Sequence, residues 1–93
     1  MQNIQDLITD GLEILEYSVY ETKDFSNYPK YAIHKGDVQK LLRWQDNVKD
    51  CFKENNRLDI MEDIERENCY DNFFTSVNID AIKRRIDNLR KLV

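Results

Sequence analysis

Few residues in this chain carry chemistry. His34 is the only histidine. No second His, and no Cys at ligand spacing, can join it in a metal site. No local signature supports a Ser–His or Cys–His pair around it, and it reads as a loop or surface histidine. The Arg-x(4–6)-His pattern of compact helical ribonucleases is missing, because no Arg precedes His34. Two isolated glycines, Gly11 and Gly36, rule out a dinucleotide fingerprint or a phosphate-cradling loop. The acidic run from Asp59 to Glu67 lacks the Asp/Asn/Gly spacing of a calcium loop and reads as a solvated helix face. Cys51 and Cys69 form neither a disulfide framework nor a zinc pattern. Both are expected to be reduced, with Cys51 a small core residue. These residues lead us to expect no catalytic residue, no metal and no cofactor: the chain is not an enzyme.

Charge is the next possible source of function. The formal net charge is -4, and the signs are segregated. Asp6, Asp10, Glu13, Glu16 and Glu21 open the chain without a base before residue 23, and Asp59, Glu62, Asp63, Glu65, Glu67 and Asp71 face only Arg66. Near the end the sign reverses, with Lys83, Arg84, Arg85, Arg90 and Lys91. Helix faces that complement one another within the fold account for this pattern. The basic cluster could hold phosphates. However, three consecutive basic residues on a helix point in different directions, and no aromatic among them offers the stacking of a single-strand binder. Overall acidity also argues against nucleic acid. Two alternatives stay open: a small regulator binding nucleic acid or an anionic ligand through the last helix, and an acidic inhibitor that mimics nucleic acid.

The elements that must position these residues are helices. Ninety-three residues make one domain, 1–93. With two Gly and one Pro there is little to interrupt helices. The 41% apolar content suits a modest core. No apolar run approaches the roughly 18 residues of a membrane span, and the acidic, amphipathic start is wrong for a signal or transit peptide. A cytoplasmic protein is the expectation.

The segment from Gly36 to Asn55 is the centre of the reading. Val38, Leu41, Leu42, Val48 and Phe52 recur on one helical face, Trp44 and Cys51 widen it, and Gln45 is its one polar gap. Before it, a first helix is expected from Asn3 to about Tyr20, with a stripe of Ile4, Leu7, Ile8, Leu12, Leu15 and Val19 and an N-cap at Asn3. Gly11 lies beside that stripe, where close approach of another helix would explain a residue that costs up to about 1 kcal/mol against Ala. Ile14, Tyr17 and Tyr20 fall off the stripe. The connection from Glu21 to Lys35 carries Phe25, Tyr28, Tyr31 and Ile33 and should pack back on the helices, with a short extended piece at Lys30–His34. Asn55-Asn56 ends the second helix, since Asn tolerates the left-handed conformation. A third helix starts at Asp59 with Glu62 three residues on, approximating a capping box. Tyr70, Phe73 and Phe74 are expected to plug the core. A fourth helix starts after Asn78 with a seam of Ile79, Ile82, Ile86, Leu89 and Val93. The fold class is thus all-α: a single small bundle of about four helices with one long aromatic-rich loop after the first.

With the helices placed, Leu7, Ile8, Gly11, Ile14, Leu15, Trp44, Phe74, Ser76, Ile82, Lys83 and Ile86 match the pattern LIxxGxxLL … W … F … S … LxxLKxxI. The chain resembles helical N-terminal interaction modules of bacterial defence and effector proteins. That resemblance covers most of the chain and implies an interaction or oligomerisation module of bacterial or phage type, without catalysis. Such modules precede an effector domain, whereas this sequence runs to Val93, so the domain acts alone or belongs to something longer. The expected partner is a protein, with self-association included. The expected interface is the end of the fourth helix, with Leu89 and Leu92 as apolar anchors and Arg85, Arg90 and Lys91 as a steering rim. Ile14, Tyr17 and Tyr20 form the second candidate patch.

Overall fold

A computed structural model describes residues 3–22 and 30–93. Four α-helices carry the architecture: α1 (Ile4–Glu13), α2 (Val38–Glu54), α3 (Leu58–Glu65) and α4 (Ile79–Arg90). Two short antiparallel hairpins join them. β1 (Val19–Thr22) pairs with β2 (Lys30–Ile33), Val19 opposite Ile33, and β3 (Tyr70–Asp71) pairs with β4 (Ser76–Val77). The molecule is therefore mostly helical without being all-α. α1 packs on α4 and α2, α3 bridges α2 and α4, and β2 lies against β4.

The first helix is shorter than its apolar spacing predicts. Asn3 caps it as expected, its side chain accepting from Asp6 N at 2.8 Å. After Glu13 the chain widens into a π-helical turn, Ile14–Ser18, and then leaves as β1. The Val-Tyr-Glu-Thr segment is rich in strand-forming side chains, and it is extended here because β2 offers its backbone a ladder. The extended piece expected near Lys30–His34 is present as β2; its partner strand takes the end of the expected helix, Val19 and Tyr20, and the first two residues of the expected connection. Expectations for Phe25, Tyr28 and Pro29 lie outside the described residues.

The inward face of α1 also differs from the stripe. Leu7, Ile8 and Gly11 are buried, Ile14 is fully buried, and Leu12 is exposed. The cause is Gly11. A Cβ built there would sit 2.5 Å from Trp44 Cζ2 and 3.0 Å from Ile86 Cγ1. The glycine is the centre of the buried face, not its flank, so Ile14, one turn on, turns inward and Leu12 turns out. Trp44 is buried, and its Nε1 donates to Leu7 O at 2.8 Å.

The polar interruptions of α2 each have a use. Gln45 Oε1 accepts from Cys69 N at 2.7 Å, satisfying a backbone donor beyond α3. At the C-terminus, Asn56 takes φ 56°, Arg57 N donates to Phe52 O at 2.8 Å and Asn56 N donates to Lys53 O at 3.2 Å. These bonds make the Schellman closure that the Asn pair predicts. α3 begins one residue earlier than expected. Arg57 stands at its cap position without a side-chain cap, and Asp59 lies inside the first turn, bonded to Arg57 Nε at 3.4 Å. There is no capping box, because Leu58 is already helical. Asn78 caps α4 as expected, accepting from Ala81 N at 3.1 Å.

One core assignment is overturned. Phe73 and Phe74 do not plug the core; they are 87% and 59% exposed. They occupy the β3–β4 turn, and Tyr70 alone of that cluster packs against the core. Val93, the expected last member of the α4 seam, is exposed as well, since α4 ends at Arg90.

The Gly11–Trp44 seat generates a stability prediction. Helix propensity alone would make Gly11→Ala stabilising by up to about 1 kcal/mol. The contact at 2.5 Å reverses the sign, and urea unfolding should show a loss of about 1–3 kcal/mol. The same Gly11→Ala change made in a Trp44→Leu background should cost less, because the ring that clashes is gone.

Candidate interaction surface

The residues expected to form an interface divide into two sets. Leu89 and Ile14 are fully buried and Arg85 is 2% exposed. None of the three can be a surface anchor or part of a rim. Leu89 is a core residue of α4, and Ile14 was drawn inward by the glycine-centred face of α1. Leu92 is half-buried against the same core. Arg90 and Lys91 are exposed, and their contacts are local: Arg90 Nη1 reaches Asp87 at 3.7 Å and Lys91 Nζ donates to Asn88 at 3.4 Å. The end of α4 thus presents charge without apolar anchors beyond Val93. Tyr17 and Tyr20 are exposed, and the Tyr20 ring leans on His34 with centroids 4.9 Å apart.

Arg85 does something else. Nη1 donates to Ala81 O at 3.1 Å, and Nη2 donates to Ile64 O at 2.8 Å and Glu67 O at 2.6 Å. The guanidinium closes the C-terminal end of α3, where carbonyls lack helical partners and the helix dipole is negative. Burial lowers its pKa from the ordinary value, but an arginine stays charged in a protein. Its buried Nε has no acceptor among the described residues. Beside it, Arg84 pairs with Glu67, and Lys49 pairs with Glu65 across α2 and α3. The acidic run after Asp59 is thus met by bases of α2 and α4, as the charge segregation suggests. Such exposed pairs are screened by water and add little to stability.

Cys51 and Cys69 are both buried free thiols. Burial pushes Cys69 up to about 11, against a smaller downward pull from Arg85, and burial also raises Cys51. A thiol held protonated is a poor nucleophile. Among the described residues no group of three or more His, Cys, Asp or Glu side chains is placed to hold a metal ion. No helix there is long and apolar enough to cross a membrane.

The surface that sequence reasoning missed is the β3–β4 turn. Asp71 Oδ1 accepts from Phe73 N at 2.9 Å and from Phe74 N at 3.2 Å, the local side-chain-to-backbone bonding that defines an Asx turn. Thr75 closes the turn at φ 50°, an uncommon conformation for a β-branched residue. The two rings stand edge to face, centroids 4.9 Å apart. A signal for this was present: Asp71-Asn72 are turn residues, and they directly precede the two phenylalanines. A shallow groove beside the turn is lined by Glu67, Tyr70, Asp71, Phe73 and Asp80, with Arg66 also at its edge. Elsewhere, a cavity of about 330 Å³ between α1 and α2 is lined by Asp10, Gln39, Lys40, Arg43 and Asn47 over the buried Ile14 and Trp44.

Two measurements follow. Arg85→Ala should lower unfolding free energy by about 2–4 kcal/mol, since it strips a donor set from buried carbonyls. Arg85→Lys should recover little of this, because one ammonium cannot span those acceptors, while Arg90→Ala should stay within about 0.5 kcal/mol of the parent. For Cys69 the sign is set by its raised pKa. The unfolded chain loses the thiol proton near the ordinary value of 9.0 and the folded chain keeps it to about 11. Stability should therefore fall across that window, by about 2–3 kcal/mol, and Cys69→Ala should remove this part of the slope in denaturant titrations at stepped pH. Compared with known protein families, curated proteins and solved structures, the chain finds no significant match.

Proposed function

We propose that this domain is a non-enzymatic helical protein-interaction or oligomerisation module, of the bacterial or phage type that its sequence pattern resembles, and that the β3–β4 turn is its contact surface. The observation that carries this reading is the display of Phe73 and Phe74. Two adjacent aromatic rings stand in solvent, at 87% and 59% exposure, on a turn tied by Asp71. Aromatic side chains held in one conformation supply large contact area at small entropic cost, which is why they dominate interface energetics. A turn that served only to connect β3 to β4 would need neither ring.

The rival reading, an anionic ligand or nucleic acid on α4, gains no support from the cation positions. Arg84 is paired with Glu67 and Arg85 is buried on backbone carbonyls. What remains on that helix, Lys83 and Arg90, is not joined by an aromatic.

A photo-reactive amino acid placed at Phe73 tests the proposal in the native cells. It should give discrete protein adducts on irradiation, and Phe74→Asp should abolish them. The same group at the exposed Lys53 of α2 should give none. Adducts to nucleic acid, or equal adducts from both positions, would remove the turn as a protein contact.

A further inference from the structure

Among the described residues, two non-glycine positions take positive φ: Asn56 at 56° and Thr75 at 50°. At Asn56 the left-handed turn ends α2, and asparagine accepts that backbone because its short polar side chain bonds locally. At Thr75 the same conformation closes the four-residue turn, 72–75, between β3 and β4. Hairpin loops commonly need a left-handed residue, and glycine or asparagine is the usual one. Threonine is strained there, because its branched Cβ crowds the backbone. Packing does not offset that strain, since Thr75 is exposed.

What Thr75 contributes is local. Its Oγ1 donates to Phe74 O at 2.7 Å, on the peptide that follows the second ring. From the other end of the turn, Asp71 Oδ1 accepts from Phe73 N at 2.9 Å and from Phe74 N at 3.2 Å. The backbone is therefore bonded on both sides of the ring pair. A glycine at 75 would carry the same φ without strain. It would offer no hydroxyl to Phe74 O, and it would open other backbone angles to the turn. Backbone strain gathers where recognition needs one fixed arrangement. Two rings already fixed before contact lose less entropy when a partner covers them. We infer that Thr75 is a positioning residue of the contact surface, giving up stability in the free chain to fix the display of Phe73 and Phe74; this rests on the interaction-module reading above. Thr75 acts through the two rings and needs no contact of its own with the partner.

Thr75→Gly and Thr75→Ser separate display from folding. In thermal unfolding of the purified chain, Thr75→Gly should melt no more than about 3 °C below the parent, because relief of strain offsets the added freedom of the unfolded chain. Amide relaxation by NMR should register what the melt does not. Order parameters at Phe73 and Phe74 should fall from about 0.85 in the parent to about 0.6 or below in Thr75→Gly. With the photo-reactive group at Phe73 in the native cells, Thr75→Gly should cut the protein adducts about fivefold or more. Thr75→Ser keeps the hydroxyl and should stay within about twofold of the parent. A Thr75→Gly chain that melts further below the parent overturns the inference, since Thr75 then serves the fold. So do unchanged order parameters, parental adducts from Thr75→Gly, or adducts lost equally from Thr75→Ser. If the parent still gives adducts in any of these cases, the interaction-module reading stands. If the parent itself gives none, that reading falls and this inference falls with it.

Discussion

The indole of Trp44 rests on the bare backbone of Gly11 and donates its ring N–H to the carbonyl of Leu7 at 2.8 Å. Much of the rest of the molecule is arranged around that seat. Gly11 also meets Ile86 of α4, so one missing Cβ brings α1, α2 and α4 to a common point. A large aromatic gains most from burial when its polar atom is also satisfied, and the buried Leu7 carbonyl oxygen has a second lone pair to offer. The glycine weakens helix propensity locally and is repaid by packing that no side chain would permit. Because the buried face of α1 is centred there, the helix is rotated from its apolar stripe, Ile14 is buried and Leu12 is exposed.

Arg85 is the polar counterpart of that seat. A cation in a core is costly unless its donors are used, and this one spends three hydrogen bonds on Ala81, Ile64 and Glu67. It binds the end of α3 to α4 at a point where the chain must turn into β3. Gln45 reaches the same region from α2 through Cys69 N. Two long polar side chains thus close the backbone around residues 64–69, and Cys69 is sealed among them as a protonated thiol. The β3–β4 hairpin springs from this closed base. Within the turn, Asp71 ties the backbone of both phenylalanines.

The positions of the helices were legible in the sequence where local chemistry decides them. Asn3 and Asn78 are caps because a short side-chain oxygen meets free helical N–H groups within three residues. Asn56 stops α2 because it accepts a left-handed backbone. The face of α2, with Leu41, Trp44, Val48, Cys51 and Phe52 buried, follows from periodicity. The candidate interface was mostly not legible. Leu89, Ile14 and Arg85 carry the right chemistry for a surface anchor or rim, and Leu89 and Arg85 lie in the region selected, yet all are buried; Phe73 and Phe74, expected in the core, are the residues displayed.

Amino-acid sequence by itself determined that the chain is a mostly helical domain with its first and last helices capped by Asn3 and Asn78, that α2 turns Trp44 inward, and that charges of opposite sign lie on different segments. Each of these is set by contacts within a few residues or by a periodicity that any packed helix must obey. Tertiary structure alone decided where α1 ends, which of Leu12 and Ile14 is buried, that Val19–Thr22 is a strand, and that Arg85 is an internal cap while the phenylalanines stand outside. The reason is common to all four. A strand exists only when another strand supplies its ladder, a glycine selects a helix face only when a ring arrives to fill it, and a buried cation is tolerated only where carbonyls from elsewhere in the chain converge. None of those partners is a neighbour in sequence.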